Sequence, residues 1–409
     1  MNMITPAEAL STILSHSMPV PVEKVHFTNA LNRICAEDII SPVNIPYHTN
    51  SAMDGYAIVA SDTLNASNNN PVTLPIAGEY QAGIINAPIH IKSGLAIRIM
   101  TGATIPPGAD AVVEKESTTE EKNMVTIFRQ VKEGENIRQA GEDIKKGGCI
   151  VQRGTKITPA IVGLLASTGN VTVTVAQKPR VAILATGDEI FEPGTPLQEG
   201  IVINSNAYTL MSLVQEYGGL PHYIGIARDS IEASKESLTQ ALSCDIILSS
   251  GGVSEGKYDF MIRAIVELGF TLLVERIAMK PGKPCIFAHR DNTLYFGLPG
   301  NPVSSMVSFI EFVRPAMLAM QGAKALQKPL IKAICQEPIK RKNDGRTHFI
   351  RAIVSFEGGQ ATVRITGPQG SGILRSMALA NCLIILPPDR LSVAKGEAVD
   401  VQLIHHPEV

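Results

Sequence analysis

The stretch from Ile246 to Asp259 constrains this chain most. Apolar Ile246-Ile247-Leu248 runs into Ser249-Ser250-Gly251-Gly252-Val253-Ser254-Glu255-Gly256-Lys257-Tyr258-Asp259, after which Met261, Ala264, Ile265 and Leu268 recur at helical spacing. A strand that turns through serines and glycines into a helix leaves backbone N–H groups free, and these can cradle a phosphate. The same motif also serves as a tight turn with no ligand, so its surroundings decide.

Those surroundings alternate. Val181 to Ala185 reads as a strand, about 206–217 as a helix closed by Gly218-Gly219, and Asp245 to Leu248 as the next strand. This order predicts parallel βαβ units. Asn301 is a candidate cap for a further helix, with Pro302 in its first turn and Val303, Met306, Val307, Ile310 and Val313 as a core-facing stripe. Ligands of open parallel sheets gather at the carboxyl ends of strands, where Gly187-Asp188-Glu189, Arg228-Asp229 and the Ser/Gly loop fall.

The 409 residues predict two to four domains. Segments 1–45 and 140–177 read as a helical linker domain: Thr5 caps a helix with Pro6 at its first position and Ala7, Leu10, Ile13 and Leu14 on one face, and Thr158 to Ser167 is again helical. Residues 46–139 read as a β-rich insert, with runs at Val72 to Ile76 and Met124 to Val131. Residues 178–327 form the α/β domain, and 328–409 a small closed or nearly closed β-barrel in which helices disappear. There, His348 to Phe356 and Ala361 to Ile365 flank Glu357-Gly358-Gly359-Gln360 as a hairpin, and Cys382 to Leu386 and Val399 to Ile404 add strands. The fold class is therefore multidomain α/β: a three-layer βαβ domain, a β-rich inserted domain, a helical linker and a C-terminal barrel.

Lys+Arg 36 against Asp+Glu 38 leaves a formal charge of -2, which argues against nucleic acid as a partner. The N-terminus lacks a basic stretch followed by an apolar core, and no apolar run approaches the ~20 residues of a membrane span, so a cytoplasmic protein without membrane contact is expected. Cysteines 35, 149, 244, 285, 335 and 382 form no C-x-x-C pair, which predicts buried, reduced thiols and no zinc or iron–sulfur site. His405 and His406 are assigned to an exposed tail. Any metal would need oxygen ligands.

Carboxylates supply them. Asp54, Asp143, Asp188, Glu189, Asp229 and Asp259 fall at loops or strand ends, and their convergence on a phosphate site suits Mg²⁺. Each also has a structural explanation: Asp54-Gly55 is a turn, Asp188 a helix cap, Asp259 a favourable charge at a helix start. Lys280-Pro281-Gly282-Lys283-Pro284 holds two ammonium groups on a stiff turn, an arrangement that an intervening tetrahedral oxyanion relieves. An exposed hairpin with solvated lysines is the other reading of that turn, and Arg276 extends its positive patch.

Ser51-Ala52-Met53-Asp54-Gly55-Tyr56-Ala57, Arg98 to Ala103, Gly108 to Val113, Thr186-Gly187-Asp188-Glu189, Asn204-Ser205-Asn206, the Ser/Gly loop, Lys280 to Pro284 and Gly297 to Val303 together resemble the molybdopterin molybdenumtransferase (MoeA) family, related to the gephyrin E domain. The likeness runs in order from about residue 5 to about residue 405. It implies an elongated homodimer of four-domain subunits, with the cleft between the βαβ domain of one subunit and the β-rich insert of the other. It also implies conversion of adenylylated molybdopterin and molybdate to molybdenum cofactor with release of AMP, assisted by Mg²⁺, with the molybdopterin adenylyltransferase and acceptor molybdoenzymes as further partners. The acidic positions carry over to Asp54, Asp143, Glu189, Asp229 and Asp259, with Thr101 beside them and the metal on Glu189 and Asp259. Asp188, Ser249, Ser250, Gly251, Gly252, Ser254, Pro299 and Pro302 carry over as substrate-binding. The oxyanion pocket carries over to Lys280, Lys283, Pro284, Ser304 and Arg346, and to Ser371 or Ser376.

Arg276 stands where the family often has lysine, and Glu255 puts a negative charge inside the anion loop with Lys257 two residues on. Two other readings stay open: adenylylation of molybdopterin by the βαβ domain, and a non-catalytic scaffold like the receptor-anchoring side of gephyrin.

Overall fold

Four parallel strands carry the chain's largest core. In the computed structural model, which describes residues 3–84, 89–252 and 260–404, the sheet runs Leu220–Ala227, Arg180–Thr186, Ile246–Ser250, Thr293–Leu298, Ile286–Arg290, Thr271–Val274. The first four are mutually parallel and the last two add antiparallel, so the expected parallel sheet ends in an antiparallel edge. Alternation sorts the side chains. Val181, Ile183, Ile246 and Leu248 enter one core, Ala182, Leu184 and Ile247 the other, as strands covered on both faces require. Helices Ser205–Glu216, Ile231–Ala241 and Phe260–Glu267 connect or flank the strands, with Met261, Ala264 and Ile265 of the last one buried.

Residues 46–139 contain a six-stranded sheet ordered Ala111–Glu114, Gly55–Ile58, Ala96–Ile99, Val72–Tyr80, Met124–Ile127, Thr118–Glu121. The chain before it pairs with the chain after it: Val22–His26 lies antiparallel to Thr172–Ala176, and Ile39–Ile40 to Cys149–Val151. Among the described residues of 1–45 the α-helix is Pro6–Ser15, which Thr5 and Glu8 close with a reciprocal capping box, and a short 3₁₀ turn follows at Phe27–Asn29. Its buried face is Ala9 and Ile13 with Leu10 partly covered, while Ala7, expected on that face, is exposed. Helix Pro159–Ser167 carries Thr158 as its cap.

Beyond Lys328, Thr347–Glu357, Gln360–Ile365, Leu330–Cys335, Ala398–Leu403 and Cys382–Leu386 pair in a ring and close a five-strand barrel. Glu357 pairs with Gln360 across Gly358 and Gly359, both at positive φ (54° and 80°), as a two-residue hairpin turn demands. Helices do not disappear here, because Leu374–Leu379 buries Ser376 and Met377. Met279–Lys280 leaves the α/β unit and lies parallel to Thr347–His348 of the barrel. That pairing fixes the seam on which the Lys280–Pro284 turn sits.

One expectation needs correction. Cys149 is exposed, on a short edge strand; the other five cysteines are buried. Pro302–Met320, which runs from α through π geometry at Phe309–Val313 and back to α, is long and apolar enough by composition to cross a membrane, since only Glu311 and Arg314 interrupt it. Of that window 78% is buried inside the protein, where it serves as core.

Candidate active site

Strand Ile246–Ser250 delivers its last residue to a cleft of about 410 Å³ at the carboxyl edge of the sheet. The cleft is lined by Ser250, Gly251 and Gly252, by Thr186, Gly187 and Glu189 after the neighbouring strand, and by Asn204, Asn206, Asp229 and Pro302. Gly251 sits at φ 94°, and a Cβ there would meet Thr186 Oγ1 at 2.8 Å and its carbonyl oxygen at 2.9 Å. Only glycine lets the two strand ends approach so closely. Asn206 Nδ2 donates to Ser250 Oγ at 2.7 Å and to the Gly300 carbonyl at 2.8 Å, tying the glycine loop to the start of the next helix. Ser249 faces away, hydrogen-bonded to Tyr295 at 2.6 Å in the core.

Negative charge gathers on the opposite wall. Asp188 Oδ1 accepts the Asp229 backbone N–H at 3.2 Å, and its carbonyl accepts from Arg228 Nη1 at 2.8 Å. Desolvation at the cleft wall, together with the charges of Asp188 and Glu189, pushes the Asp229 carboxyl up from its ordinary value.

A second cavity, about 530 Å³, opens at the barrel seam and is lined by Lys280, Lys283, Pro284, Pro299, Ser304, Arg346 and Ser371, with His348, Arg351 and Gln369. Gly282, at φ 105°, would put a Cβ 2.7 Å from Ser308 Oγ, so the lysine turn lies directly on the helix that begins at Pro302. Burial alone would raise the Asp344 carboxyl, but hydrogen bonds from Arg346 and His348 outweigh it and hold Asp344 well below the usual carboxylate range. Burial lowers the His348 imidazole against the pull of Asp344, and the charges of Arg341 and Lys280 add to the lowering. Asn301 lines both cavities, which therefore adjoin. It stands at the N-cap position of its helix, yet its side chain makes no capping bond.

Residues 4–169 match the "MoeA N-terminal region (domain I and II)", 182–319 the "Probable molybdopterin binding domain" and 332–404 the "MoeA C-terminal region (domain IV)". The chain is 38% identical to the molybdopterin molybdenumtransferase of Haemophilus influenzae, covering 99% of both chains, and 35% identical to that of Bacillus subtilis, covering 97% and 93%. The crystal structure of the molybdopterin biosynthesis moeA protein from Pyrococcus horikoshii OT3 superposes with a TM-score of 0.85 at 33% identity, covering 98% of this chain and all of that one. The chain belongs to the MoeA family.

In this MoeA-family chain the expected residues fall into groups. Glu189, Asp229, Ser250, Gly251, Gly252 and Pro302 share the first cleft; Lys280, Lys283, Pro284, Pro299, Ser304, Arg346 and Ser371 share the second. Ser376 does not line it and stands behind Arg351, accepting from its Nε at 3.0 Å. Arg276 is also outside that lining and gives its carbonyl to the N–H of Ile4. Asp54 and Thr101 meet each other in the β-rich insert: Asp54 Oδ1 accepts both the Thr101 N–H and its Oγ1–H at 2.7 Å, which holds the carboxyl below its ordinary value. Asp143 is exposed on a turn beside Ile45. Neither Asp54 nor Asp143 lines either of these two cavities in its own chain. Ser254, Glu255, Lys257 and Asp259 lie outside the described residues, as do His405 and His406.

Asp344, His348 and Arg351 were not singled out from sequence. The signal was present as His348 and Arg351 inside the barrel strand Thr347–Glu357, with Asp344 and Arg346 just before it.

Proposed function

We propose that this protein transfers molybdenum into adenylylated molybdopterin, as a molybdopterin molybdenumtransferase of the MoeA family, with release of AMP. The carrying observation is the adjacency of a glycine-loop cleft and a cation-lined cavity through Asn301. One accepts a nucleotide-linked phosphate on backbone N–H groups, the other a molybdate ion, and the shared wall makes the two substrates neighbours.

Two carboxylates, Glu189 and Asp229, face the first cleft, and their mutual repulsion is what a divalent cation relieves. Among the described residues no set of three or more carboxylate, histidine or cysteine ligands converges, which fits Mg²⁺ because it takes one or two carboxylates and completes its shell with water and substrate phosphate. Glu189 would hold it, with Asp259 as the family's further position; when bound, it neutralises charge developing on the phosphoanhydride. This chain's own residues do the rest. The Gly251-Gly252 turn orients phosphate, and Lys280, Lys283 and Arg346 concentrate molybdate. Asp229, whose carboxyl is raised from its ordinary value, carries protons as the dithiolene sulfurs lose theirs and molybdate oxygen leaves as water. Asp54, held ionised by Thr101, suits an electrostatic role; we place it, with Asp143, in the cleft of a partner subunit in a homodimer. We place the reaction in the cytoplasm, between the enzyme that adenylylates molybdopterin and the acceptor molybdoenzymes.

The test supplies purified protein with adenylylated molybdopterin, Mg²⁺ and molybdate, and follows AMP together with protein-bound molybdenum. Coupled appearance of both is expected; AMP release that ignores molybdate, with no metal incorporated, would overturn the reading.

A further inference from the structure

Arg351 is 1% exposed, and among the described residues no carboxylate pairs with it. Its Nε donates to Ser376 Oγ at 3.0 Å, and its Nη2 to the Gly370 carbonyl at 2.9 Å and more weakly to that of Pro368 at 3.5 Å. All these acceptors are neutral. A guanidinium stays charged across the physiological range, so it is here a buried cation with no counter-charge among the described residues, an unfavourable state that a bound anion would complete. Burial pushes it down to about 10, with no opposing acid.

The side chain lines the cavity that also holds Lys280, Lys283 and Arg346. Among the described residues Nη1 has no hydrogen-bond partner, while Nε and Nη2 are fixed by theirs. We propose that Arg351 is the inner anion-binding group of this cavity, and that a tetrahedral dianion held there is its missing counter-charge. The proposal rests on reading the cavity as the molybdate site. It assigns the ion a position: the lysines meet it at the mouth, and a pre-oriented, permanently charged fork receives it at the floor. Because Arg351 also holds the Gly370 carbonyl, its orientation and that of Ser371 are set together.

Equilibrium dialysis of the full-length protein against molybdate and against perrhenate, a monoanion of similar shape, tests this. Lys280→Ala should weaken molybdate binding severalfold; no effect there, or no binding by the unmodified protein, sinks the reading of the cavity rather than the role of Arg351. With that control in place, Arg351→Met should weaken molybdate about tenfold or more and perrhenate distinctly less, since a lost buried charge penalises a dianion more than a monoanion. Arg351→Lys should lose roughly threefold to tenfold, because a point charge replaces a fork. Equal losses for both anions in Arg351→Met would make Arg351 a loop tie only, and unchanged molybdate affinity would remove it altogether. Should Arg351→Met fail to fold, Arg351→Lys carries the test, and an unchanged affinity in it overturns the proposal.

Discussion

Asp344 and Arg346 meet through a 2.5 Å charge-assisted hydrogen bond, Nη2 to Oδ2, at the edge of the cation-lined cavity. The same carboxylate receives His348 Nε2 at 3.0 Å. One acid thus orients two of the groups that line this cavity.

Asp344→Asn keeps the shape and removes the charge, so we expect a loss of folding stability of about 1–2 kcal/mol at pH 7, discounted because the group is partly solvated. The sign with pH follows from the depressed carboxyl. Its contribution is complete above the ordinary aspartate value of about 3.9 and is lost as pH falls through the lower folded-state value. Denaturant unfolding of both proteins should show a constant gap from pH 7 down to about 4 that narrows below it. A gap that closes near neutrality would contradict the assignment.

Gly251→Ala and Gly300→Ala should behave differently although both glycines border the same cleft. At Gly251 the backbone is left-handed and Thr186 blocks a Cβ on both its hydroxyl and its carbonyl; at Gly300 the new Cβ would meet only the Gly251 Cα, at 3.7 Å. We expect Gly251→Ala to cost about 1–3 kcal/mol in thermal unfolding and to abolish tight AMP binding. Gly300→Ala should stay close to the parent in both. Equal tolerance of the two would show that the loop does not present its backbone to the ligand.

Much of this architecture is legible from local pattern. The hairpin at Gly358-Gly359 follows from turn chemistry, and the Thr5–Glu8 box from a three-residue spacing. The Ile246–Ser250 strand with its glycine turn needs only an apolar run and two glycines. What escaped depends on contacts between distant segments. Arg351 is a surface-type residue until Ser376 and the 368–370 loop close over it, and Asp344 acquires its meaning only from Arg346 and His348 across a turn. Helix Leu374–Leu379 is too short and too weakly patterned to stand out. Pro302–Met320 reads as core from its stripe of Val303, Met306, Val307, Ile310 and Val313, although a buried core helix and a membrane span share composition and only burial separates them.

Thr101 controls the ionisation of Asp54 through two donors on one oxygen. Thr101→Ala removes the hydroxyl and leaves the backbone N–H, so the Asp54 carboxyl should rise part of the way toward its ordinary value. If Asp54 acts as an anion in turnover, the acid limb of the pH–rate profile for AMP release should move to higher pH, and Thr101→Ser should restore it. A rate loss with an unmoved acid limb would mean that Thr101 positions the loop without tuning the acid.

Glu311 lies on the wall of a separate cavity of about 330 Å³, accepting from Gln402 Nε2 at 3.0 Å. Burial pushes its carboxyl up to about 7, against the pull of Gln402, Arg314 and Lys328. A carboxyl raised in the folded state favours the protonated form, so the contribution of Glu311 to stability is complete below the ordinary glutamate value of about 4.3 and is lost as pH climbs through about 7. Glu311→Gln cannot ionise and keeps an amide partner for Gln402. The variant should therefore match the parent at pH 5 and exceed it at pH 8 by about 1–2 kcal/mol, read from denaturant midpoints at unchanged slope. Lys328, itself pushed down to about 8 by burial, titrates in the adjoining range in both proteins, so the comparison is made as a difference at each pH. A variant less stable than the parent at pH 8 would show that ionised Glu311 is held by its two cationic neighbours more strongly than burial opposes it.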